Sequence, residues 1–432
     1  MRDYLLFAVV FGILPWILKR PSIGILMATW ISLMNPHRLA YGPAYDFPFA
    51  AVVVAATLAG LLFSHEPKRI PFTKVTVLLF CFMGWMTLTS FFALEPDLVW
   101  GEWNRVLKTF FMVILASAVL HTEKEIKALA WITGLSLGFY GFKGGVFTLL
   151  SGGSSHVFGP TGSYITDNNA LALALVTALP LIWYLRQLAT NKWLRHALLG
   201  LLLLTGVSIV GSYSRGALLG GSAMLFALWL KSRNKLGTGI VLAIAAAFAF
   251  SFMPEKWFDR MGTIGTYTED ASALGRINAW HFSVNVANNH LLGGGYNVFS
   301  KNQFLIYAPD PLDFHAAHSI YFQVLGEHGF IGLGIFVMLI IFAWRTGSRV
   351  IKHSKDKAEL KWAYSLATMC QVSIVGYAIG GAFLSLAYYD LFYGIIVLLV
   401  LLEKCLLLSS PHQQKISPFQ KIGAIDVLGR SA

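Results

Sequence analysis

Long apolar runs recur along almost the whole chain, at 4–18, 22–34, 48–64, 75–93, 106–120, 128–150, 170–189, 197–211, 216–230, 237–253, 330–344, 363–387 and 390–408. So many runs of this length exceed what one soluble core can bury. A bundle of helices in a bilayer accommodates them, because each helix satisfies its own backbone polar groups there. Composition agrees: 56% of residues are hydrophobic, only 12% are charged, and mean hydropathy is +0.63. The expected fold is all-α, a polytopic membrane bundle of about 12 transmembrane helices. The first two runs are separated only by Lys19-Arg20-Pro21 and form either two tilted spans or a hairpin. No small-residue cleavage site follows the first run, so it is expected to stay as a helix.

Charge orients the bundle. The net charge of +12 gathers in short loops between apolar runs, which points to topology and anionic lipid, not nucleic acid. Lys68, Arg69 and Lys74, then Arg186, Lys192 and Arg195, then Lys231, Arg233 and Lys235, fall on one side as the helices alternate. Arg345, Arg349, Lys352, Lys355, Lys357 and Lys361 join them in the densest cluster. The positive-inside rule makes that side cytoplasmic. The chain divides into N-terminal membrane helices (1–253), a large polar loop with a projecting helix (254–329), C-terminal membrane helices (330–408) and a polar cytoplasmic tail (409–432) carrying Lys415, Lys421 and Arg430. Cys81, Cys370 and Cys405 all lie in apolar runs without a C-x-x-C and read as buried thiols, neither disulfide nor metal site.

The unusual polar residues collect on the opposite side. Around 315–332 the chain carries His315, His318, Glu327 and His328 beside glycines, where a membrane helix ordinarily carries none, and such groups mark function by default. A helix over 315–328 would place Ser319, Gln323 and Glu327 on one face, with His318 roughly 13 Å above Glu327. It would carry His318 clear of the lipid and leave Glu327 near the interface. Arg215 sits in the tight turn Gly211-Ser212-Tyr213-Ser214-Arg215-Gly216, where a snorkelling arginine is not expected. Arg276 precedes Ile277, Trp280 and Val284 at helical spacing, which reads as an amphipathic helix on the membrane; the arginine serves as well for solvation as for a ligand. Arg105 begins a helix after Glu102-Trp103-Asn104, and Lys143, deep in an apolar run, needs a partner or a cavity. Outward arginines suit an anionic ligand, since a guanidinium stays charged and grips phosphate with paired hydrogen bonds. Asp167-Asn168-Asn169 either caps the next helix or binds sugar hydroxyls. Glu95-Pro96-Asp97 reads as an acidic helix cap in preference to a divalent-ion site. His315, His318 and Glu327 match no metal-ligand spacing, and no metal or cofactor is expected.

His318-Ser319, Gln323, Glu327-His328-Gly329, Ser214-Arg215-Gly216 and Gly275-Arg276-x-x-Ala279-Trp280 together resemble the O-antigen ligase and polymerase superfamily. The N-terminal half, with Gly141-Phe142-Lys143-Gly144-Gly145 and Gly159-Pro160-x-Gly162-Ser163 through Asp167-Asn168-Asn169, is similar to its O-glycosylation ligase branch. The resemblance implies a glycosyltransferase of the bacterial inner membrane with its site in the periplasm. It implies an undecaprenyl-pyrophosphate-linked polysaccharide donor and a sugar hydroxyl of the lipid A core as acceptor, giving lipopolysaccharide. Carried over residue by residue, Arg215 and Arg276 would hold the pyrophosphate and His318 would take the acceptor proton. Arg105, Lys143, Asp167, Asn168, Asn169 and His315 would serve substrate binding, and Glu327 structure. With no carboxylate pair to supply a nucleophile, the expected course is a single inverting displacement without metal. Polymerisation of the lipid-linked glycan and transfer to protein hydroxyls are alternatives within the same chemistry. A flippase of the glycan is the alternative of another class, disfavoured because the charges gather at one face instead of lining a path.

Overall fold

The computed structural model describes residues 2–64, 68–232, 234–262 and 271–408. It is helical throughout, with no strand among the described residues. The long helices are α1 (Arg2–Lys19), α2 (Pro21–Met34), α3 (Phe49–Phe63), α4 (Lys74–Phe91), α5 (Pro96–Val119), α6 (Glu123–Leu150), α7 (Asn168–Leu188), α8 (Lys192–Gly211), α9 (Arg215–Lys231) and α10 (Lys235–Ser251). Three helices of the large loop follow, α11 (Glu255–Gly262), α12 (Ala271–Asn289) and α13 (Lys301–Tyr307), then α14 (Ile320–Ser354), α15 (Lys361–Gly380) and α16 (Asp390–Leu408). Among the described residues five stretches are long and apolar enough to cross a membrane, at 74–91, 168–188, 192–211, 320–354 and 358–383. A sixth is reached if α10 and α11, bent by 113° at their junction, count as one, and α2 and α3 are shorter apolar helices. The chain is a multi-pass membrane protein.

Local sequence sets the helix starts. Thr73, Asp167, Asn191, Ser214, Asn234, Ser300 and Ser319 each accept a hydrogen bond from a first-turn amide, and Thr122 with Glu125 closes a capping box on α6. Glycine then sets the packing distance. An added methyl at Gly141 would lie 2.2 Å from Thr205 Oγ1, and one at Gly145 2.2 Å from the Leu204 carbonyl, so α6 and α8 meet backbone to backbone. α9 and α15 meet likewise, with Gly220 2.7 Å from Gly380 Cα by the same test.

The bundle has two unlike ends. At the basic end Lys404 Nζ donates to the carbonyls of Arg69 (2.9 Å) and Ser117 (3.2 Å), Lys231 Nζ donates to Gln371 (2.6 Å), and Arg349 pairs with Glu403 (2.5 Å). Arg233 and the tail from 409, with Lys415, Lys421 and Arg430, lie outside the described residues. The opposite, loop end holds 92–95, 151–167, 211–215, the three loop helices and 381–389.

Several expectations need correction. Cys81 is exposed, since it faces out of its helix; only Cys370 is fully buried. The helix of the histidine motif starts at Ile320, capped by Ser319, not at 315, so His318 sits in the approach to it. Within α14, Gly329 (φ 66°) breaks the helical path, so no continuous rod carries His318 outward. Glu327 is buried within the protein. α12 packs on α14, with Trp280 stacked on Phe322 and Ser283 beside Gly326. The rest of its buried stripe meets His315 (through Gly275), the carbonyls of Asp310 and Asp313 (through Asn278) and the rings of Phe299, Phe304 and Tyr307 (through Phe282), while Ile277, Trp280 and Val284 are half-buried. Arg105 lies in the body of α5, because Pro96 starts that helix a few turns earlier. Glu95 stands at the start of α5 without capping it; its carboxylate accepts from Ser300 Oγ (2.7 Å) and Gln303 Nε2 (3.3 Å), tethering α13.

Candidate active site

The approach to α14 is held in an uncommon shape. His318 adopts φ 43°, the left-handed region that only a minority of non-glycine residues occupy. Its neighbours enforce this. The Ala317 carbonyl accepts from Trp280 Nε1 (2.8 Å), and the Trp280 ring stacks flat on Phe322 (4.9 Å, 9°) in the first turn of α14. Asn278 receives the other end of the segment, donating to the carbonyls of Asp310 (2.8 Å) and Asp313 (2.9 Å). His315 pairs with Asp313 (2.8 Å), and its ring lies on the backbone of Gly275, where an added methyl would stand 2.2 Å from Cδ2. Glycine before Arg276 is therefore required by the histidine it receives. The loop thus clasps the part of α12 that carries Arg276 and Trp280, one turn apart.

His318 itself is half-buried and makes no hydrogen bond among the described residues. Its pKa lies below the ordinary imidazole value, first because burial disfavours the cation, then because Arg276 and His315 stand close by; Asp167 opposes them. Arg276, His315 and Asp167 are thus electrostatic neighbours of His318, and the imidazole is a neutral base near pH 7.

The Arg215 turn comes to the same end. Ser214 caps α9 and Arg215 is its first helical residue. Asn168, at the start of α7, donates to the Ser212 carbonyl at 2.7 Å. A methyl on Gly216 would be 3.0 Å from Phe383 Cβ, one on Gly381 would be 2.6 Å from Ile320, and Phe383 lies 6.5 Å from Trp280. The N-termini of α7, α9 and α14 therefore gather around 381–384, with their positive ends at the loop end of the bundle.

Residues 199–337 match the family described as O-Antigen ligase. That region is a domain of the O-antigen ligase-like superfamily. The match spans Arg215, Arg276 and His318. Residues 1–190 match a family of unknown function (DUF5935), whose description names no activity. No curated protein matches the chain.

Other expected site residues are placed differently. Arg105 pairs with Glu102 (3.6 Å) and lies 3.2 Å over the ring of Tyr164, whose hydroxyl donates to Glu102 (3.0 Å). No described contact joins it to His318. Lys143 is exposed on α6, opposite the glycines that meet α8, and enters no described cavity. Asp167 caps α7 through Asn169 and Ala170 (2.9 and 3.0 Å), and Asn169 donates to Asn168 Oδ1 (3.4 Å). The cap is realised, and Asn168 spends an amide on the Arg215 turn. Among the described residues no group of three or more His, Cys, Asp or Glu could hold a metal ion.

Below the site lies a layer that sequence reasoning located without its partners. The break at Gly329 frees the preceding carbonyls, and each finds a donor elsewhere: Gly294 N to Gly326 O (2.8 Å), Gly295 N to Glu327 O (2.8 Å) and Trp85 Nε1 to His328 O (2.9 Å). Glu327 accepts from the Tyr388 hydroxyl (2.6 Å) and the Asn297 amide (3.3 Å), and His328 Nδ1 bonds Thr89 (2.7 Å). The run Gly293-Gly294-Gly295 was the visible signal for this clasp; Tyr388 gave none.

Proposed function

We propose that the protein is an O-antigen ligase: it transfers a polysaccharide from undecaprenyl pyrophosphate to a sugar hydroxyl of the lipid A core. The bundle has about twelve spans of the bacterial inner membrane, and the site faces the periplasm. The observation that carries this reading is the juxtaposition of a neutral, uncommitted His318 with the Arg276 guanidinium. His318 takes the proton of the acceptor hydroxyl as that oxygen attacks the anomeric carbon. The bond from that carbon to the pyrophosphate oxygen breaks from the opposite side, inverting configuration. Undecaprenyl pyrophosphate leaves with the electron pair, its charge balanced by Arg276, by Arg215 and by the helix N-termini beside them. The O-antigen ligase domain supports glycan transfer of the ligase or polymerase type; the lipid A-core acceptor is our choice within it.

The test is transfer in vitro, in chelator, with purified protein, lipid-linked polysaccharide and rough lipopolysaccharide. A ladder on the lipopolysaccharide, lost in His318→Ala and Arg215→Ala, is the expected result. Lengthening of the donor glycan with lipopolysaccharide untouched would instead make the protein a polymerase.

A further inference from the structure

Four successive carbonyls at the end of α8 and in the turn before Arg215 each receive a donor from outside α8. Trp257 Nε1 reaches Val210 O (3.0 Å), the Val157 amide Gly211 O (3.3 Å), Asn168 Nδ2 Ser212 O (2.7 Å) and Arg260 Nε Tyr213 O (3.1 Å). Two of the four come from α11, a helix that neither the motif pattern nor the proposed chemistry uses. Trp257 is buried against Tyr213 and Met253 in a small cluster of its own. Tyr213 is held at φ 60°, and its hydroxyl donates to the Gly153 carbonyl at 2.5 Å. A tyrosine kept in left-handed backbone by contacts on every side sets the direction in which the next helix leaves, and Arg215 is the first helical residue beyond the Ser214 cap.

We propose that Trp257 and Arg260 are positioning residues for Arg215. They grip the turn by its carbonyls and so fix where the guanidinium meets the donor pyrophosphate. The proposal rests on the reading of Arg215 as a pyrophosphate ligand. α11 follows α10 through a 113° bend, so the large loop sends its first helix back to steady the turn.

The experiment is kinetic. Transfer from radiolabelled undecaprenyl-pyrophosphate polysaccharide is measured for wild type, Trp257→Phe, Arg260→Gln, Arg260→Lys and Arg215→Ala, alone and combined. Trp257→Phe keeps the ring and removes only the donor, so it carries the test if Arg260→Gln does not fold. Each single α11 variant is expected to raise the KM for the donor about three- to tenfold, the range for one lost hydrogen bond, with only a modest fall in the thermal unfolding midpoint. Arg260→Lys should recover most of the loss. In the Arg215→Ala background the α11 variants should cost nothing more, because the group they position is gone. Wild-type donor KM in both α11 variants, with Arg215→Ala impaired, overturns the proposal and leaves the reading of Arg215 standing. Full additivity in the double variants also overturns it, making α11 a stability element. Wild-type KM in Arg215→Ala removes the reading and the proposal together.

Discussion

His318 and the pair Glu327-His328 stand one short segment apart and are used in opposite ways. Glu327 is 4% exposed with both carboxylate oxygens bonded, and His328 is fully buried with its ring packed on Tyr296, Tyr388 and Phe82. His318 is half-buried, makes no hydrogen bond among the described residues and has charged neighbours. Glu327 is spent on its two hydrogen bonds, and His328 on its enclosing rings and the bond of Nδ1 to Thr89, so both hold structure; a half-buried imidazole left unspent beside a cation is available for chemistry. In the proposed reading the same motif supplies both a frame and a working group.

The largest test of this contrast is His318→Ala. Transfer per folded protein should fall by about 10²–10⁴-fold, the usual worth of a general base, with the thermal unfolding midpoint nearly unchanged. Near-normal transfer would end the division of labour. Glu327→Ala should do the reverse, stranding the Tyr388 hydroxyl and the Asn297 amide and costing about 1–3 kcal/mol of stability by thermal unfolding. A stable variant with no activity would move Glu327 into the chemistry. Gly329→Ala should destabilise by a comparable or smaller amount, about 1–2 kcal/mol, because its φ of 66° disfavours a side chain and the Leu291 carbonyl lies 2.5 Å from the added carbon.

The smallest effect sharpens the electrostatics. Transfer needs neutral His318, so it is lost as pH falls through that group's lowered pKa. Asp167 opposes the lowering, and Asp167→Asn removes that negative charge while keeping an effective helix cap. The pKa should drop further, and the acid limb of the pH profile of kcat/KM should move to lower pH. A shift to higher pH would mean that the limb belongs to another group.

Much of this could be read from the residues alone. Apolar period and length marked out the helical, multi-pass class, because a bilayer demands internally bonded apolar segments wherever they occur. The capping role of Asp167 followed from local backbone chemistry. Other residues misled for identifiable reasons. Lys143 looked buried because its neighbours are apolar, but the glycines around it turn toward α8 and leave it outside. Ile277, Trp280 and Val284 had helical spacing, but the fully buried stripe is the one with small residues, with Gly275 under the His315 ring and Ser283 beside Gly326 of α14.

The sequence by itself determined the all-helical membrane class, several helix caps, the gathering of polar residues at one end and the motif residues Arg215, Arg276 and His318. These depend on composition, periodicity and capping, which act over a few neighbouring residues. Only the tertiary structure decided that Trp280 reaches the residue before His318, that His315 rests on Gly275, that Tyr388 closes on Glu327 and that α11 returns to the Arg215 turn. Each joins positions far apart in the chain, and such pairs are set by which surfaces can approach closely while most buried polar groups keep a partner.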